Sequence, residues 1–384
     1  MFSTRKRRQA FTGALAVGAI VALAGCTGGV VDSGGGGEGD EQTWNITEVS
    51  VAAPTSVMRP WHDWYLDQVE ERTDGRITFT RTEPNEICGI LDAGECLFDG
   101  RAQFLTQVPN YQPSSFASLS MPEIVFGSDN LAAASAAVYD VNKNNPDALA
   151  YLEEQGLHHV STLPVGRVVI GTSQPAESVA DLNGEAVRAS GVLVTQDLEA
   201  VGASIVNVGA QEAYQAVQTG LATSVAGAMD FPVVFKIGEL LPYWSDPGLG
   251  NYSEFSMFWD LDTWNEFPDD IKQTLTEIEE EINGGVGADL LYDASFEQCT
   301  ALAEMANVES LTTWSEDATQ EWYDMVGETN DENWVSLAGD HGLENADGVL
   351  TDYRAAVEKY EGEHPDYVDA VIECAESGFE EARS

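Results

Sequence analysis

The hydrophobic pattern of this chain keeps switching between a period of two and a period of about 3.6 residues, and this limits the fold more than any other feature. "WNITEVSVAAP" (44–54) reads as a strand ended by Pro54. "RPWHDWYLDQVEERTDG" (59–75) puts Trp61, Trp64, Tyr65 and Val69 on one helical face and closes at Gly75. "RITFTRT" (76–82) alternates as a second strand. The rhythm continues with strand 101–108, helices 130–144 and 147–156, strands 158–165 and 167–173, helix 194–202, strand 203–209, helix 210–220 and strand 222–231. Helical runs then dominate 261–305, 315–339 and 352–384. Single short strands separated by helices predict an α/β protein with covered sheets. The length, 384 residues, exceeds what one core usually serves, so two lobes are expected.

The first residues do not belong to that pattern. "TRKRRQ" is a basic n-region, and "FTGALAVGAIVALAG" is an apolar run of signal-peptide length, too short to span a bilayer. It ends in "LAGC", which resembles a lipobox: residues 1–25 would be removed and Cys26 acylated. "RKRRQAF" is a poor match to a twin-arginine signal, so the export route stays open. Residues 26–43, "CTGGVVDSGGGGEGDEQT", form a Gly-rich acidic tether with nothing to bury. The expected location is the outer face of the cytoplasmic membrane, held by lipid.

The chain carries 65 Asp+Glu against 17 Lys+Arg, a net charge of −48, and loss of residues 1–25 makes it −52. Such a body repels nucleic acid and anionic membrane surfaces. The excess reads as a surface suited to high salt rather than as a function. After Cys26, four cysteines remain: Cys88, Cys96, Cys299 and Cys374. In an oxidising compartment an even number indicates two disulfides. Three pairings are possible, of which 88–96 with 299–374 is the simplest. The short loop would contribute roughly 2.5 kcal/mol and the long one roughly 4 kcal/mol in the chain-entropy model. No histidine sits at metal-ligand spacing near either pair.

Catalytic signatures are missing: no G-x-S-x-G, no H-E-x-x-H, no phosphate loop and no dinucleotide fingerprint occurs. No catalytic residue, metal site or cofactor is therefore expected. Scarce cations are the better signal. From residue 102 to 353 the only arginines are Arg167, opening "RVVIGTS", and Arg188, closing "EAVR". If their strands were neighbours, both guanidiniums would meet at one sheet end, suited to a carboxylate by paired hydrogen bonds. Each could equally tie down a nearby acid.

"ESVADLNGEAVRASG" and "LEAVGASIVNVGAQEAYQAVQTGLA" resemble the substrate-binding proteins of TRAP (tripartite ATP-independent periplasmic) transporters, as do "VEERTDGRITF", "LFDGRAQFLTQVPNYQPSSFASLSMPEI" and "DLDTWNEFPDDIKQTL". The likeness runs in order from residue 44 to about 300. It implies a two-lobed periplasmic-binding-protein-like fold with a ligand cleft between lobes and long C-terminal helices. Lobe one would be 44–164 with 254–293, and lobe two 165–253 with 294–384. The arginine of the family's "GlkiR" stretch, which binds the substrate carboxylate, falls on Arg188. Arg167 stands where a second arginine often assists, and Met229, Asp230 and Phe231 follow the turn that lines the site. That turn, "GLATSVAGAMD", is longer than usual, Gln103 replaces a preferred Asp, and "CGILDAGEC" replaces a shorter loop. The expected protein is a monomer, not an enzyme, that captures a small organic carboxylate and delivers it to TRAP permease subunits. A binding protein for an ABC importer or sensor is the alternative, and a secreted lipoprotein enzyme is a remoter one.

Overall fold

Eleven strands organise the residues described by the computed structural model, 42–383. The expected signal peptide, Cys26 and nearly all of the tether lie outside them. In chain order the strands are β1 (Trp44–Ser50), β2 (Ile77–Thr80), β3 (Phe104–Gln107), β4 (Leu157–Pro164), β5 (Val169–Thr172), β6 (Ala186–Arg188), β7 (Ser204–Val206), β8 (Ser224–Gly227), β9 (Tyr243–Asp246), β10 (Glu254–Asp260) and β11 (Ser310–Thr313). One sheet has the order β2-β1-β3-β10-β4, the other β11-β9-β5-β8-β6-β7. In the first, β1 runs parallel to β2 and β3, while β10 is antiparallel to β3 and β4. In the second, β6 is parallel to β7 and β8, and β5 is antiparallel to β8 and β9.

Helices cover both sheets, as the alternating pattern requires. Arg59–Arg72 buries Trp61, Tyr65, Leu66 and Val69 at helical spacing and stops before Asp74 and Gly75, both with positive φ. Leu131–Asn144 starts where the Asn130 side chain accepts the Ala133 N–H, and Asn145 caps the next helix in the same way. Gly287–Ala303 joins two core regions: Ala288 and Leu291 pack in the cluster that holds Trp61, whereas Cys299 and Leu302 pack with Val169 and Trp244.

The chain passes between the sheets at 165–168, at 247–253 and again between β10 and β11, and the first two passages bond to each other. Tyr252 N–H donates to Gly166 O (2.8 Å), Val168 N–H to Gly250 O (3.2 Å), and Arg167 forms an antiparallel bridge with Asn251. Disulfides join Cys88 to Cys96 and Cys299 to Cys374, with Cα separations of 6.2 and 5.9 Å.

Three readings of the sequence need correction. The strands that carry the two arginines are not neighbours, because β8 lies between β5 and β6. Strands β9, β10 and β11 had no expectation from the pattern. β10 is buried on both faces, so it lacks the alternation of a half-exposed strand. The C-terminal segment does not stay with the second sheet: helix Ala346–Glu361 packs along Leu131–Asn144. Its Val349, Leu350, Tyr353 and Val357 share a core with Ala137, Val138 and Val141, whose small side chains let the helix approach.

Candidate ligand site

Strands β6, β7 and β8 run parallel, so their carboxyl ends share one edge of the sheet. Crevices beyond such ends are where open α/β sheets receive ligands. Arg188 is the last residue of β6. Alternation sends Val187 into the core and Arg188 to the other face, and Gly191, at φ +90°, then turns the chain into helix Val192–Ala200. Arg188 is 1% exposed. Its Nε donates to Val208 O at 3.1 Å, and its guanidinium carbon lies 4.7 Å from the centre of the Phe231 ring. Among the described residues no carboxylate pairs with it, and its two terminal nitrogens have no hydrogen-bond partner there. A buried cation without an anion is costly, which points to one that arrives from outside.

Phe231 reaches this position because residue 227 is glycine. A Cβ there would lie 2.6 Å from Phe231 Cγ. Phe231 packs against Phe235, with ring centres 4.7 Å apart, and both line a cavity of about 110 Å³ with Arg188, Ser190 and Asp230. The first sheet supplies the facing wall, including Val51, Ser56, Val108, Tyr111 and Phe255, and the crossing segment adds Tyr252 and Ser253. Tyr252 and Ser190 share a hydrogen bond between hydroxyls at 2.8 Å. Burial raises the Tyr111 phenol, with the charge of Arg188 working against it.

Asp230 reaches across to the first sheet's side: its Oδ2 accepts the Val57 N–H at 3.3 Å and the Ser56 hydroxyl at 3.4 Å. Burial pushes its carboxyl above the ordinary range despite those bonds. Met229 packs in the core behind the cavity, not on its wall. Arg167 is not on the wall either, contrary to expectation. Its Nε donates to Asp246 Oδ2 at 2.6 Å, and its Nη1 pairs with Asp129. Asp246 and Asp129 take up its donors, so it fastens the crossing segment instead.

Two further acids lie close by. Glu123 (2% exposed) has an oxygen 1.7 Å from where a Cβ on Gly191 would stand, so only glycine fits there. Asn110 Nδ2 donates to Glu123 at 3.5 Å and to Ser253 at 3.1 Å. Burial pushes Glu123 up to about 8, and burial with the charge of Glu123 raises fully buried Glu254 well above the carboxylate range. Neither acid hydrogen-bonds or pairs with Arg188 among the described residues, so neither competes for it. Among the described residues, no three His, Cys, Asp or Glu side chains cluster as a metal site.

The sequence reading missed Ser56, Tyr111, Phe235, Tyr252 and Phe255. Tyr111 had a signal, since it is the tyrosine of "NYQPSSF" in a stretch that carried the resemblance. The others stand on loops and on β10, where no pattern marks them.

The model of the family described as bacterial extracellular solute-binding protein, family 7, matches residues 50–335. No curated protein matches the chain. Among solved structures, a TRAP solute-binding protein from Rhodoferax ferrireducens, in complex with copurified benzoate, aligns at TM-score 0.74 and 19% identity, over 84% of this chain and 100% of that one. One from Bordetella bronchiseptica with bound mandelate aligns at 0.70 and 19%, over 82% and 99%. The periplasmic ectoine-binding protein of a Halomonas elongata TRAP transporter aligns at 0.70 and 17%, also over 82% and 99%.

Proposed function

The chain belongs to family 7 of the bacterial extracellular solute-binding proteins, and from that premise we propose that it captures a small organic carboxylate on Arg188 and hands it to a TRAP-type secondary transporter. Its family serves transport rather than catalysis. One observation carries the ligand reading: Arg188, 1% exposed, with its guanidinium in an aromatic cavity and no acid partner among the described residues. A carboxylate would take two parallel hydrogen bonds from its terminal nitrogens, while Val208 O holds Nε and Phe231 fixes the plane. The benzoate and mandelate held by two neighbours of the same fold are of this chemical class.

Each sheet with its covering helices acts as a lobe, 44–164 with 254–293 against 165–253 with much of the C-terminal segment. The ligand is held between them, and closing about the paired crossing segments expels water from around it. The loaded protein, a monomer tethered through acylated Cys26, then docks on permease subunits of the TRAP type.

Calorimetry of wild type and Arg188→Ala against small carboxylates tests the site. Loss of binding in the variant with an unchanged circular dichroism spectrum supports the reading, and equal affinity overturns it. Cys26→Ala tests the anchor: the variant protein should leave the membrane fraction, and retention after a salt wash refutes acylation.

A further inference from the structure

We infer that the ligand is amphoteric, with a carboxylate for Arg188 and a cationic or hydrogen-bond-donating group for Asp230, so that the site favours an amino-terminated monocarboxylate over a dicarboxylate. The inference rests on the carboxylate reading of Arg188 and adds the chemistry of the ligand's other end.

The cavity wall carries one cation and one acid, Arg188 and Asp230. Arg167, the other arginine buried among the described residues, is taken up by Asp246 and Asp129. A second ligand carboxylate would thus enter a largely dehydrated space with no second cation, facing Asp230. Like charges in such surroundings repel far more strongly than in water.

Asp230 is also left with capacity. Only its Oδ2 is used by other residues, and both bonds, at 3.3 and 3.4 Å, lie beyond the usual range. Oδ1 accepts no bond from another described residue. A carboxylate has about four acceptor positions; Val57, Ser56 and its own backbone N–H take up three, so at least one remains for a donor in the cavity. The aromatic wall leads the same way. Phe231 already carries the guanidinium over its face, and Phe235, packed against it, extends π surface along the cavity. Ring faces attract cations and give nothing to a second anion. A neutral zwitterion also matches a site holding one cation and one acid, without adding to the negative charge of the whole chain.

The test uses three four-carbon probes that differ only at one end: 4-aminobutanoate, butanoate and succinate. Titration calorimetry on the mature protein should rank them in that order, with 4-aminobutanoate at least tenfold tighter than butanoate. Asp230→Asn should weaken 4-aminobutanoate about tenfold and strengthen succinate, narrowing or inverting the ranking. Succinate binding as tightly as 4-aminobutanoate in the wild type overturns the inference, as does an unaltered ranking in a folded Asp230→Asn. Where Asp230→Asn fails to fold, the wild-type ranking decides alone. Arg188→Gln separates the two readings, because it should weaken all three probes. If Arg188→Gln leaves butanoate unchanged, or no probe binds the wild type, the carboxylate reading itself falls.

Discussion

Arg167 and Arg188 are both buried arginines at the same end of one sheet, and they do opposite things. Arg167 (5% exposed) is closed off by Asp246 and Asp129, which join it to the last residue of the second sheet's β9 and to the loop before helix Leu131–Asn144. Arg188 (1% exposed) has a carbonyl, an aromatic face and no anion among the described residues. In a chain with so many carboxylates, the buried guanidinium that no acid pairs with among the described residues is the informative one. The difference teaches that burial alone does not assign an arginine; its partners do.

The largest expected effect that sharpens the comparison is on stability. Arg167→Ala leaves Asp246, 1% exposed, without its cation, and should cost about 3–5 kcal/mol in urea unfolding. A loss below about 1 kcal/mol would mean that the pairing is ornamental and the contrast false. Arg188→Met should instead cost about 2–5 kcal/mol of carboxylate affinity while leaving the ligand-free protein as stable as before, or more so. Arg188→Lys should bind poorly too, since an ammonium cannot offer the paired donors. A large stability loss in Arg188→Met would place it beside Arg167 as a structural residue.

Acids near the two arginines differ in the same sense, which gives a smaller effect. Glu123 has its proton affinity raised by burial to about 8 from 4.5, so the folded chain keeps a proton that the unfolded chain has released. Its contribution to stability is full below about pH 4.5 and is lost as pH rises toward 8, by at most about 1.4 kcal/mol per pH unit. Asp369, beside Arg167, is pushed by burial only to about 6, so its share is largely lost by that pH. Unfolding midpoints from pH 6 to 8 should therefore fall less steeply in Glu123→Gln than in wild type; parallel slopes would mean that Glu123 is ionised near Arg188. The smallest effect is kinetic. Between 0.1 and 1 M salt the screening length falls from about 10 to about 3 Å, so butanoate should associate faster as the field of the acidic body is screened. A stopped-flow rate that falls with salt, where circular dichroism is constant, would show that Arg188 dominates the approach.

What could be read in advance follows from how local each cause is. Helix Arg59–Arg72 announced itself because Trp61, Tyr65 and Val69 repeat at one face within a few turns. Arg188 was legible because cations are rare here and because its flanking residues carry a family likeness. The pairing of Cys88 with Cys96 lies within one short loop. Arg167 was not legible: Asp129 and Asp246 are 38 and 79 residues away in sequence, and nothing near Arg167 shows that they converge on it. β10 escaped for a related reason, since a strand buried on both faces leaves no periodic mark. Asp230 stood out as a candidate, but its reach to Ser56 and Val57 spans more than 170 residues, so only the folded chain shows what it holds.

The ladder between 165–168 and 250–253 makes two of the chain's passages between the sheets a ribbon of two backbones instead of two loose cords. A ribbon bends easily across its flat side and resists shear along its length. Slippage by one residue would reverse which side chains face each way. Tyr252 and Ser253, which belong to that ribbon, would then leave the cavity, and Arg167 would leave Asp246. The double connection therefore acts as a gauge, since the cavity keeps its alignment only while the ladder keeps its count.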